Sequence, residues 1–203
     1  MKIAIDGPSA SGKGTIAKLL AEKLSLTYLN TGKIYRIVAN EASKMNGDVL
    51  TNALHVSGHF SEYWELEHVP SEIYSSENGM RTSKLSQNSQ IRHNLMQFQL
   101  DFIQNNGNII LEGRDIGTVV MPNADFKFYI DASAEERAKR RVQQLGGDAD
   151  YNQILMDLKT RDENDKSRTI SALKIADDAV YIDTTNLSID AVMDVILRLV
   201  LGK

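Results

Sequence analysis

The chain has no cysteine, which removes disulfides, thiolate nucleophiles and Cys-ligated metals from consideration. Proline is scarce, with three in 203 residues, leaving little room for a disordered linker. No apolar run approaches the roughly 18 residues needed to span a membrane. The opening residues, Met1-Lys2-Ile3-Ala4-Ile5-Asp6, turn polar too early for a signal peptide. There is no excess of positive charge either. A net charge of −4 gives no general nucleic-acid-binding surface, so an anionic ligand must be held by a local cluster of Lys and Arg. What remains is ordinary globular composition, 42% apolar and 25% charged, in a chain long enough for one well-buried domain. The expectation is a cytoplasmic protein with no membrane or nucleic-acid partner. It is expected to be monomeric, because no apolar patch or heptad points to a partner chain.

Short apolar runs alternate with longer helical patterns, as in a parallel sheet wrapped by helices. The pattern predicts strands at Lys2–Asp6, Thr27–Leu29, Asn108–Glu112, Phe126–Ile130 and Ala179–Asp183. It predicts helices at Lys13–Leu24, Thr31–Met45, Ser89–Gln104, Ala134–Leu145, Tyr151–Asn164 and Ile189–Val200, the last announced by Ser188, an N-cap type residue. The stretch from Gly47 to Gly79 breaks the alternation and reads as an insertion beside the sheet. Gly146-Gly147-Asp148-Ala149-Asp150, between two charged helices, reads as a lid tip.

The strongest signal is Gly7-Pro8-Ser9-Ala10-Ser11-Gly12-Lys13-Gly14-Thr15, which follows a predicted strand and opens a predicted helix. That context is the one a phosphate-binding P-loop requires. Gly7 and Gly12 let backbone N–H groups curl inward, the helix N-terminus adds its positive end, and Lys13 brings a mobile charge to the outer phosphates. A tight strand-to-helix turn with a surface lysine would look similar but would not need this flanking pattern. The position after the Lys, commonly a Ser or Thr that reaches Mg²⁺, is Gly14, with Thr15 next. The metal would then lean on nucleotide phosphates and water, with Glu112 at the end of an apolar strand as a further candidate ligand. The Gly-Lys-Gly-Thr variant resembles the nucleoside monophosphate kinases.

Arginines lie where a phosphoryl-transfer site would want them. Arg36 is on the helix after the second strand, Arg92 opens a later helix, and Arg114 sits just past the third strand. Arg137, Arg140 and Arg141 share one helical face, as do Arg161, Asp165 and Arg168. The same spacing also fits solvated faces knitted by ion pairs with Glu135, Glu136, Asp162 and Glu163. Of the histidines His55, His59, His68 and His93, the first two have metal-pair spacing but no accompanying acid motif, so surface or packing roles are expected. Trp64 reads as core of the insertion rather than a base-stacking platform.

Together these stretches resemble one family, the bacterial-type cytidylate kinases. The resemblance rests on the P-loop segment, Thr31-Gly32-Lys33-Ile34-Tyr35-Arg36, Ser83-Lys84-Leu85 and Glu112-Gly113-Arg114-Asp115-Ile116-Gly117-Thr118-Val119-Val120. It extends through Glu135–Arg141, Arg161 to Arg168, and the ending from Asp178 to Ile189. It implies an α/β, three-layer P-loop fold with a central five-stranded parallel sheet flanked by helices. The core would span about 1–40, 83–133 and 165–203, with a nucleotide-monophosphate-binding insertion at about 41–82 and a lid at about 134–164. The implied reaction is transfer of the γ-phosphoryl of ATP to CMP or dCMP with Mg²⁺, giving the diphosphate and ADP. Gly7 through Thr15 would bind ATP. Thr31, Arg36, Ser83, Arg92, Arg114, Asp115, Arg161, Asp165 and Arg168 look like CMP contacts, with Ser83 and Asp115 reading the cytosine edge and Arg161 and Asp165 the ribose. Lys13, Arg114, Arg140, Arg141 and Arg168 look like the catalytic cations, with Arg137 beside them on the lid. An acceptor that is already an ionised phosphate oxygen needs no general base.

The chain departs from the family pattern at Asn30 (usually Asp), Lys33 (Ala), Tyr74 (Arg after an Ile) and Ala172 (Pro), and its insertion is short. Other readings of the same residues are a P-loop kinase for UMP, AMP or shikimate, an inactive kinase, or a nucleotide-dependent switch. The Asp-x-x-Gly and Asn-Lys-x-Asp strings of such switches do not occur here. If Lys13 acts on transition-state charge, Lys13→Ala removes turnover while the circular dichroism spectrum and thermal transition stay close to wild type. An unchanged rate would count against the P-loop assignment.

Overall fold

The structure, a computed structural model, describes residues 1–64 and 71–202. Its elements run β1 (Lys2–Asp6), α1 (Lys13–Leu24), β2 (Thr27–Asn30), α2 (Thr31–Lys44), α3 (Val49–Gly58), α4 (Phe60–Trp64), a 3-10 turn (Ser71–Tyr74), α5 (Ser76–Leu85) and α6 (Ser89–Asn105). They continue with β3 (Ile109–Gly113), a π-helical turn (Ile116–Val120), β4 (Phe126–Asp131), α7 (Ala134–Gln144), α8 (Tyr151–Ser167), β5 (Val180–Asp183) and α9 (Ile189–Leu201). The expected strands and helices all form. The largest difference is at α8, which runs past Asn164 to Ser167. Gly47–Gly79, weakly periodic in sequence, folds as α3, α4, the 3-10 turn and the start of α5. His68 and the Glu65-Leu66 part of that stretch lie outside the described residues.

The five strands form one all-parallel sheet in the order β2-β3-β1-β4-β5. β1 is central, in register with β3 from Lys2↔Ile109 to Asp6↔Gly113 and with β4 from Ile3↔Phe126 to Asp6↔Tyr129. A central parallel strand is covered on both faces and therefore reads as a continuous apolar run. The side chains still alternate. Ile3, Ile5, Ile110, Phe128, Ile130 and Ile182 join Ile16, Ala17 and Leu20 of α1 and Val192, Ile196 and Val200 of α9 in one core cluster. Strand order runs outward in both directions from β1, so its C-terminal end lies at the switch point where such sheets bind ligands. The P-loop emerges there.

The chain forms two compact units, Met1–Leu29 with Gly107–Lys203, and Asn30–Asn106. In the second unit α2 carries a buried stripe of Ile34, Ile37, Val38 and Ala42 at helical spacing. Half-buried Trp64 lies tilted against Phe60 and edge-on to Phe98 (centroids 6.1 and 5.4 Å), so it packs on that core. His59 Nδ1 lies 3.0 Å from the His55 carbonyl oxygen, and the two rings lie tilted at 4.7 Å on the exposed side of α3. A buried amide holds the turn before α5. Asn78 donates to the carbonyls of Arg36 and Ile73, both at 3.0 Å.

Seven helices begin with an Asn, Asp or Ser side chain accepting from a first-turn amide: Asn30, Asp48, Ser75, Asn88, Ser133, Asp150 and Ser188. Helix α1 differs. Its N-cap is Gly12, left-handed at φ 91°, with no side-chain bond to the amides behind it. Those donors are left for a ligand.

Removing the Asn78 amide deletes two hydrogen bonds, to Arg36 O and Ile73 O, and costs about 1–3 kcal/mol. Urea denaturation of Asn78→Ala is therefore expected to show a lower midpoint at unchanged slope; an unchanged midpoint would remove Asn78 from this role.

Candidate active site

The P-loop has the shape its sequence implies, for identifiable steric reasons. A Cβ on Gly7 would lie 2.0 Å from the Ile130 carbonyl oxygen, so β4 approaches the turn too closely for any other residue. Ala10 is left-handed at φ 61°, two residues before Gly12. Ser11 is almost fully buried, yet its hydroxyl has no hydrogen-bond partner among the described residues. An orphan hydroxyl inside an uncapped helix entrance is a ready donor to an oxyanion.

Lys13 folds back so that its ammonium donates to the Pro8 carbonyl at 2.9 Å. Burial pushes its pKa down to about 7, with Arg114 and Arg161 adding to the depression and Glu112 and Asp165 opposing it. Glu112 is buried at the end of β3 and accepts from the Tyr28 hydroxyl at 2.6 Å. Its carboxylate explains Gly14, because a Cβ there would meet Glu112 Oε1 at 2.9 Å. A side-chain oxygen after the lysine is thus replaced by a carboxylate arriving from the neighbouring strand.

Arg114 Nε donates to Asp165 Oδ2 at 2.7 Å, and Arg168 donates to the other oxygen of the same carboxylate. Burial would raise Asp165, but the guanidinium groups of Arg114, Arg168 and Arg161 prevail and hold it below the usual carboxylate range. Arg161 and Asp165 of α8, with Arg168 just past its end, are therefore brought to Arg114 and Lys13. Asp115 is buried and begins the π-helical turn, its carbonyl accepting from Val119 and Val120 at 2.9 and 3.1 Å.

The α7 arginines divide. Arg137 is buried, with bonds to both oxygens of Asp162 (2.5 and 3.2 Å), to the Ala132 carbonyl (2.9 Å) and to the Ser9 carbonyl (3.1 Å). In this arrangement it staples α7 and α8 to the P-loop. Arg140 pairs with Glu136 at 3.1 Å and reaches Ser11 O, Thr184 Oγ1 and Thr184 O at 3.3, 3.0 and 2.7 Å. Arg141 bonds Gln144 Oε1 at 3.3 Å within its own helix. The ion-pair reading is thus realised for Asp162 and Glu136, while Glu135 pairs with Lys159 at 3.1 Å. Ala138, Ile154 and Leu158 give α7 and α8 a small core that Ala10 of the P-loop also touches.

The second unit holds the other candidates. Thr31 is buried at the start of α2. Arg36 donates to the Ile73 carbonyl at 2.7 Å and lies 5.6 Å from the centroid of the Tyr74 ring. Arg92 lies 5.4 Å from the centroid of Tyr35, with a longer bond to Ser86 O at 3.4 Å. Ser83 is buried and its hydroxyl has no partner among the described residues, which suits a polar ligand edge. The departures also have local roles. Asn30 caps α2 by accepting from the Lys33 amide at 2.8 Å, and Lys33 Nζ sits 5.2 Å over Trp64.

The family model that matches residues 3–201 is that of cytidylate kinase. The chain belongs to the cytidylate kinase family. It is 41% identical to cytidylate kinase 1 of Haemophilus influenzae over 96% of this chain and 90% of that protein. It is 42% identical to the cytidylate kinase of Thermotoga maritima, covering 98% and 96%. Among solved structures, an uncharacterised protein from Eubacterium ventriosum aligns over 100% of this chain and 99% of that one at 13% identity and TM-score 0.54, a likeness of fold. TT1252 from Thermus thermophilus aligns over 100% and 96% at 15% identity and TM-score 0.50. Membership in the cytidylate kinase family assigns the chemistry, ATP-dependent phosphorylation of CMP or dCMP. No described helix is long and apolar enough to cross a membrane.

Two residues of this region escape a motif-level reading. Asp6 accepts from the amides of Ile116 and Gly117, both at 2.8 Å, and burial pushes it up to about 6. Thr184 accepts from Arg140 at 3.0 Å and donates to the Asp131 carbonyl at 2.9 Å. The available hints were a carboxylate at the buried end of a central strand and a threonine just past the edge strand.

Because native Lys13 gives up its proton near pH 7 and the unfolded side chain near 10.5, the unfolded chain binds more protons between those values. Lys13 therefore makes stability rise with pH across that window. Phosphates restore the ammonium, so ATP binding at pH 8 should take up a fraction of a proton approaching one. Calorimetry in buffers of different ionisation enthalpy reads this directly, and Lys13→Gln should abolish it. Uptake that persists in the variant would assign the proton elsewhere.

Proposed function

We propose that the residues described above carry transfer of the γ-phosphoryl of ATP to the phosphate of CMP or dCMP. The observation that carries the residue assignment is the clustering of Lys13, Arg114, Arg161 and Arg168 around Glu112 and Asp165. Such a cluster of cations suits the phosphates of two nucleotides. The uncapped amides of α1 and the Ser11 hydroxyl take the β- and γ-phosphates of ATP, with Lys13 swinging from Pro8 O onto their outer oxygens. Arg114 and Arg168 neutralise charge on the transferring group, and Arg140 and Arg141 supply further cations from a lid spanning about 134–164. Catalysis here is positioning and electrostatic stabilisation, since the attacking phosphate oxygen is already ionised.

Asp115 accepts from the cytosine amine, while Arg161 and Asp165 serve the ribose. In the second unit, whose insertion we place at about 41–82, Ser83 reads the base edge, and Arg36 and Arg92 offer forked donors to the phosphate, with Thr31 beside them.

The residues fit Mg²⁺ held chiefly by the nucleotide. Among the described residues no group of three His, Asp or Glu side chains could hold a metal by itself, and Glu112 presents one carboxylate beside Gly14. When bound, Mg²⁺ supplies charge neutralisation between the phosphates; Glu112 would orient a water of its shell.

An acceptor panel measuring ADP release with ATP and Mg²⁺ is expected to rank CMP and dCMP above UMP, AMP and shikimate. Turnover with UMP or AMP equal to that with CMP would overturn the acceptor assignment. Asp165→Ala is expected to raise KM for CMP more than KM for ATP; equal effects would remove its ribose role.

A further inference from the structure

Asp6 is one of the most buried carboxylates in the chain, and neither the P-loop motif nor the acceptor contacts above use it. It ends β1, immediately before Gly7. In register it stands opposite Gly113, the last residue of β3, and its side chain reaches past that point. One oxygen accepts the Ile116 amide and the other the Gly117 amide, each at 2.8 Å. These are first-turn donors of the π-helical turn, whose own N-cap residue, Asp115, provides no side-chain cap. A remote carboxylate thus does for this turn what Asn, Asp or Ser does locally for seven of the helices.

The far side of the turn is walled. A Cβ on Gly117 would lie 3.2 Å from Lys127 Cδ and 3.4 Å from Asp6 Oδ2. Lys127 cannot easily yield, because its ammonium is bound to Pro122 O at 2.6 Å and Asp178 Oδ1 at 2.8 Å. Arg114 and Asp115 are therefore suspended between two fixed points, the end of β3 and a turn clamped on Asp6. Moving the clamp moves both residues.

We propose that Asp6 is a positioning residue for the acceptor: its carboxylate is the template on which the 114–117 segment folds, so it sets Arg114 and Asp115 without touching substrate. The inference rests on the reading of Arg114 and Asp115 as CMP contacts. The carboxylate form matters because both of its oxygens accept. An amide of the same shape would keep one bond and set its own N–H groups against the second backbone N–H. Both hydrogen bonds of the side chain go to the segment that carries Arg114 and Asp115, so the larger effect falls on the acceptor.

Asp6→Asn and Gly117→Ala disturb the same clamp from opposite sides. Steady-state kinetics should show KM for CMP raised about tenfold or more in Asp6→Asn and several-fold in Gly117→Ala, with KM for ATP within about twofold of wild type. A residue that merely stabilised the fold would lower the thermal transition and leave the two KM values in their wild-type ratio; that result overturns the proposal. If Asp6→Asn fails to fold, Gly117→Ala decides on the same criterion. Hydrogen exchange is the independent readout. The Ile116 and Gly117 amides should lose protection in Asp6→Asn relative to amides of β4, and retained protection would equally overturn the clamp. If wild-type protein does not phosphorylate CMP, the acceptor reading fails, while the exchange result still judges the clamp.

Discussion

Four cationic side chains, Lys13, Arg114, Arg161 and Arg168, are crowded with Glu112 and Asp165 in the part of the chain that carries the P-loop. Loss of water, with the positive charges of Arg114 and Arg161 adding to it, lowers the Lys13 ammonium to about 7, while Arg114, Arg168 and Arg161 hold Asp165 ionised in spite of its burial. Like charges this close are tolerable in a folded protein where neighbours hold the groups in place. Asp165 bonds Arg114 and Arg168 on its two oxygens, and the Pro8 carbonyl takes the Lys13 proton donor. The sheet, the strand order and the helix entrance all serve to hold this crowd of like charges at one end of β1.

The rest of the first unit can be understood as bracing for it. Arg137 is buried because α7 and α8 must be fixed to the P-loop, and two oxygens of Asp162 with two backbone carbonyls satisfy its donors. A buried arginine left without that partner would be costly, so Asp162 and Arg137 stand or fall together. The small apolar core of α7 and α8 includes Ala10 of the phosphate turn, so the position of the lid helices and the shape of the turn are joined by packing as well as by hydrogen bonds.

Much of this was legible in the sequence. Strand positions followed from apolar runs, helices from periodicity and caps, and the nucleotide site from glycines whose places are dictated by sterics, as Gly7 against Ile130 shows. The Arg161-Asp165-Arg168 face was legible because helical spacing alone puts those residues together. The roles of Arg137 and Arg140 were not, because spacing leaves solvated ion pairs and substrate cations equally open; the choice is made by where Asp162, Ser9 and Thr184 lie in space. Asp6 was read as the last residue of a strand. Its function depends on a partner more than a hundred positions away, brought near by parallel register, and no local pattern encodes that. The segment from Gly47 to Gly79 was seen as different but not as helical, since α4 and the 3-10 turn are too short to show a period.

The close approach of Glu112 to Gly14 has a consequence for how this loop can change over generations. A hydroxyl-bearing residue after the P-loop lysine, common in other phosphate-binding loops, would force the Glu112 carboxylate off its bond to Tyr28, because its Cβ would meet Oε1 at 2.9 Å. Shortening or removing Glu112 first would open the space but would discard the acid before its replacement arrived. The two positions form a ratchet in sequence space: each is harmless to keep and harmful to change alone. Lineages with this pair would therefore be expected to retain it or to exchange both residues together.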